Sequence, residues 1–223
     1  MKLRKISARY IFTSIGEVIE KGIIVINEEG IIIDVVNTYG QITETEGLEY
    51  YSGIICPGFI NSLFAIKFKN IAEARQYDLF LFKSGIVAAG DFSYKDNLIY
   101  YKQGTKILYR EITSGFDLLS HYYKGIVKCE NNDKIISCLA SGISSDTKYL
   151  SLNKIIVEKL ASETIDNFND IVEMSCINGA RFLGIDDNFG SIEKGKKPGI
   201  NLITGLNIND LKKTSDVKVM RLL

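Results

Sequence analysis

Ser52-Gly53-Ile54-Ile55-Cys56-Pro57-Gly58-Phe59-Ile60-Asn61 sets a Pro-Gly pair inside an apolar run. Proline withholds a ladder donor and glycine lets the chain turn, so the stretch predicts a strand entered through a kink. It also divides the chain by pattern. Before it, Arg9–Thr13, Val18–Ile26 and Ile31–Val36 are β-branched runs, and Asn27-Glu28-Glu29-Gly30 has the make-up of a hairpin turn. The expectation for residues 3–55 is a small antiparallel sheet. After it, helical spacing over Ile71–Lys83 precedes an apolar strand at Gly85–Phe92, and a short helix at Asn97–Tyr101 precedes a strand at Lys106–Thr113. A further strand, Ile135–Gly142, is followed by helices over Leu152–Leu160 and Ile165–Leu183. Apolar strands alternating with helices imply parallel β/α units covered on both faces. Past Gly184, read as a helix C-terminal glycine, β character returns over Phe189–Ile203. The predicted class is α/β, with both chain ends contributing to one sheet beside the β/α part.

Composition bounds the function. The 223 residues are 46% hydrophobic and 24% charged with two prolines, which suits a globular chain and excludes general disorder. Lys+Arg 27 against Asp+Glu 27 leaves no net charge, so neither nucleic acid nor an anionic membrane is an expected partner. One histidine, His121, rules out multi-histidine catalysis. No apolar run approaches the roughly 18 residues of a membrane span, and no leader pattern follows the basic N-terminus, so a soluble cytoplasmic protein is expected. Cys56, Cys129, Cys138 and Cys176 lack CxxC spacing and sit in apolar runs, which suits buried thiols better than a zinc site or disulfides. No GxGxxG or Walker pattern is present, and Asp186-Asp187-Asn188-Phe189-Gly190 lacks the alternating acids of a calcium loop.

Four segments in order carry a resemblance: Gly53–Asn61, Ser84-Gly85-Ile86-Val87-Ala88-Ala89-Gly90-Asp91, Asn178-Gly179-Ala180-Arg181-Phe182-Leu183-Gly184-Ile185, and Gly190-Ser191-Ile192-Glu193-Lys194-Gly195-Lys196. Together they resemble the amidohydrolase superfamily, metal-dependent hydrolases of C–N bonds other than peptide bonds, and most closely its deaminase/chlorohydrolase-like branch. The resemblance implies a (β/α)8 TIM-type barrel with a β-sandwich built from both chain ends. On that basis residues 1–55 plus 186–223 form the composite β-sandwich domain and 56–185 the barrel.

The departures from the family are chemical. Where the family places a His-x-His pair after the first barrel strand, this chain has Leu63 and Ala65, and where it places its last metal-binding Asp, this chain has Gly142. None of the three side chains offers a lone pair. The zinc or iron that the family uses is therefore not expected, nor is any other cofactor. A full barrel takes roughly 250 residues, and residues 56–185 supply about half of that, enough for about four units. The expectation is a partial barrel, open or completed across a dimer of half-barrels, so a homo-oligomer is the expected assembly.

Candidate site residues follow from position. Asp91, Arg110 and Glu111 fall near the carboxyl ends of strands, the face where β/α sheets bind ligands. Asp91 and Glu111 are acid–base candidates and Arg110 a substrate-binding one, against the plainer readings that Asp91 caps the following loop and that Arg110 pairs with Glu111. Asn61, placed at a strand end, is a substrate-binding candidate or the donor of a structural hydrogen bond. His121, among tyrosines, is a candidate base or a packed histidine; a base needs an orienting partner that the sequence does not nominate. Three functions remain: a degenerate, non-catalytic, self-associating amidohydrolase homologue; a metal-independent hydrolase or lyase using Asp91, Arg110, Glu111 or His121; and a binding subunit for another protein. The small-molecule ligand is not specified by the sequence.

Overall fold

The computed structural model describes residues 3–42, 45–113, 124–128, 134–138, 165–207 and 213–223. The first half is strand-rich: β1 (Arg4–Ile11), β2 (Ile19–Glu20), β3 (Ile23–Ile26), β4 (Ile32–Val36) and β5 (Leu48–Pro57). Asn27 and Gly30 close the β3–β4 turn through a 3.1 Å backbone hydrogen bond, with Gly30 at φ 83°. Near the other end, β11 (Ile200–Leu206) and β12 (Lys213–Arg221) complete the same sheet, whose order is β12-β11-β5-β1-β3-β4 with β2 on β1. Strands from both ends of the chain thus share one hydrogen-bonded sheet. Its core is aliphatic, with Ile6, Ile24, Ile32, Ile55 and Leu202 buried together.

Three sequence expectations are corrected in this sheet. The sheet is mixed rather than antiparallel, because β1 pairs with β5 in parallel, from Lys5 opposite Leu48 to Ile11 opposite Ile55. The Val18–Ile26 run is two strands, divided where Lys21 takes φ 52°, a conformation that interrupts extended backbone. The segment Phe189–Gly199 is a chain of turns, and extended structure starts only at Ile200.

At Gly58 the chain leaves this sheet and enters another. The second sheet is parallel, with order β6 (Phe59–Phe64), β7 (Ile86–Asp91), β8 (Leu108–Glu111). The helix α1 (Ile71–Lys83) crosses between β6 and β7, and α2 (Tyr94–Tyr101) between β7 and β8. Asn70 caps α1 by accepting from the Glu73 amide at 3.0 Å, and Glu73 accepts from the Lys69 amide at 2.6 Å. α1 buries Ala74, Tyr77 and Leu81 against an aromatic layer in which Phe64 lies 5.2 Å from Tyr77 and 6.1 Å from Tyr109. A Cβ on Gly58 would sit 2.1 Å from the Val87 side chain, so the passage between sheets requires glycine there.

Beyond these, β9 (Lys124–Lys128) and β10 (Lys134–Cys138) form an antiparallel pair, and β10 lies against β6. The strand expected at Ile135–Gly142 is thus β10 over its first residues, paired antiparallel rather than in a parallel ladder; the Leu152–Leu160 helix lies outside the described residues. The single helix expected over Ile165–Leu183 is two, α3 (Ile165–Ser175) and α4 (Ile177–Phe182). At the break the Ile177 amide donates to Ser14 Oγ at 3.3 Å. A hydroxyl from a distant loop takes a donor that a continuous helix would spend on its own carbonyl.

Candidate functional site

The carboxyl ends of β6, β7 and β8 are where the sequence placed its candidates. Asp91 is the last residue of β7 and fully buried. Its Oδ1 accepts from the Ser93 amide at 2.7 Å, and its Oδ2 accepts from Asn97 Nδ2 at 3.0 Å and the Tyr101 hydroxyl at 2.6 Å. Asn97 Nδ2 also donates to the Ile66 carbonyl at 2.6 Å, and Asn97 Oδ1 accepts from the Phe68 amide at 3.0 Å. Burial pushes the Asp91 carboxyl up to about 6, with Asp96 nearby adding to the rise and the three donors opposing it. Burial, then the charge of Asp91, drives the Tyr101 phenol far above its ordinary value. Asp91 therefore ties the loop after β7 to α2.

Glu111 ends β8 in register with Asp91 but is exposed, and it accepts from Lys95 of α2 at 3.2 Å. Its partner is not Arg110, because consecutive strand residues face opposite sides. Arg110 is exposed on the other side. Asn61 does not end a strand: β6 runs on to Phe64, and Asn61 is buried within it. His121 and Gly142 lie outside the described residues. Of the described candidates, Asn61 and Asp91 are buried while Arg110 and Glu111 are exposed.

Sequence reasoning missed the partners. Asn97 and Tyr101 sit at i and i+4 of α2, the spacing that puts two side chains on one helix face. Asp78 was visible as an acid inside the apolar stripe of α1. It accepts from the amides of Lys106 at 2.7 Å and Ile107 at 3.3 Å and so fixes the lead into β8. The buried Tyr109 hydroxyl faces the Asp78 carboxylate without a well-aligned hydrogen bond, and its ring stacks on Tyr101 at 4.1 Å. The tyrosines here pack against one another.

Leu63 is fully buried in β6, and Ala65 follows it. Among the described residues no three His, Cys, Asp or Glu side chains come together. Cys56 and Cys176 are buried free thiols; burial pushes both upward, and each thiol is the weaker a ligand for it.

Comparison with known proteins was made on sequence and on fold. The amidohydrolase family model matches residues 127–221, a little under half of the chain. A prolidase candidate from Bifidobacterium longum has a TM-score of 0.54 at 11% identity, the match covering 94% of this chain and 90% of that one. Guanine deaminase from E. coli has a TM-score of 0.50 at 11% identity, covering 92% and 89%. An adenosine deaminase from Xanthomonas campestris with bound zinc has a TM-score of 0.51 at 11% identity, covering 89% and 84%. The family model thus matches the C-terminal part of the chain, and the solved structures share its fold. A search of curated proteins found no match. No helix among the described residues is long and apolar enough to cross a membrane.

Proposed function

We propose that this chain is a degenerate amidohydrolase: a non-catalytic, self-associating protein that uses no metal or other cofactor. The observation that supports the reading is Leu63, whose side chain is sealed in the core and which the sequence resemblance sets against a metal-binding histidine of the family. Hydrolytic metals need about three protein ligands and an activated water at once. Leucine and alanine supply none of these, and a glycine at 142 supplies no replacement.

In this reading residues 56–185 are a truncated barrel of about four β/α units beside a composite domain of residues 1–55 and 186–223. The described residues hold three parallel strands against the eight of a closed barrel, and a second copy would cover an edge that a lone sheet leaves open. The acid–base alternative has less support, since Asp91 spends its oxygens on three internal donors and Glu111 on Lys95.

The test is turnover of amide, amino-purine and amino-pyrimidine substrates by protein loaded with zinc or iron, with light scattering on the same sample. No chelator-sensitive turnover and a mass above that of one chain are expected. Turnover abolished by a chelator, or a monomer at all concentrations, overturns the reading.

A further inference from the structure

We draw no further inference here: the strongest candidate, the cavity of about 300 Å3 where the two sheets meet, is lined by Glu28 and Glu29 as well as by Lys106, Lys197 and Arg221, and nothing in the structure shows which charge a ligand would meet there.

Discussion

Asp91 and Glu111 are register partners at the ends of β7 and β8, yet one is sealed and the other open to solvent. α2 holds both: Asn97 and Tyr101 take Asp91, and Lys95 takes Glu111. Two acids that the sequence offered as acid–base candidates are thus separate anchors of one helix.

Asp91 gives the fold a pH dependence. Its folded-state value of about 6 exceeds the ordinary carboxylate value, so the folded chain keeps a proton that the unfolded chain has released. The stability contributed by the protonated group is complete below about pH 4 and is lost as pH rises through 6, a change of about 3 kcal/mol. Asp91→Asn removes that slope. Urea unfolding of both proteins between pH 4 and 7 is expected to show the variant gaining on the wild type as pH rises; parallel curves would contradict the assignment.

Tyr101→Phe deletes the 2.6 Å bond to Asp91. Where Asp91 is ionised the loss is about 1–3 kcal/mol, because a buried charge forfeits a donor. Below pH 5 Asp91 is protonated in both proteins and the difference shrinks. A destabilisation of the same size at pH 4.5 and pH 8, read from urea midpoints, would argue against this.

Gly58→Ala places a methyl group on the Val87 side chain at the passage between sheets. Overpacking of a core typically costs about 1–3 kcal/mol, and Val87→Ala in the same chain returns part of it by opening the space. Additive effects of the two changes in a double-mutant cycle would mean that the two residues do not meet.

Leu63→Ala leaves a void in a fully buried site, so a loss of about 2–5 kcal/mol is expected in chemical unfolding. A loss below about 0.5 kcal/mol would mean that Leu63 is not a core residue.

Local chemistry made much of the fold legible. The limits of α1 agree with the sequence reading because Asn70 and Glu73 cap it and its apolar stripe has one period. The β3–β4 turn was legible from Asn27 to Gly30 for the same kind of reason. Tertiary choices were not legible. The parallel pairing of β1 with β5 depends on where the chain returns, and the break after α3 depends on Ser14 reaching Ile177 from far away in sequence. Asn61 was misplaced because the β6 ladder continues to Phe64 opposite Asp91. The cavity where the two sheets meet was invisible, since its walls come from segments spread between Glu28 and Leu223.

The central claim is that side chains without lone pairs have replaced the ancestral metal site. Zinc and iron content of the purified chain, measured with its Tm before and after chelation, tests this most directly. The account predicts far less than one metal per chain and an unchanged Tm; one tightly held metal per chain, whose removal lowers Tm, would contradict it.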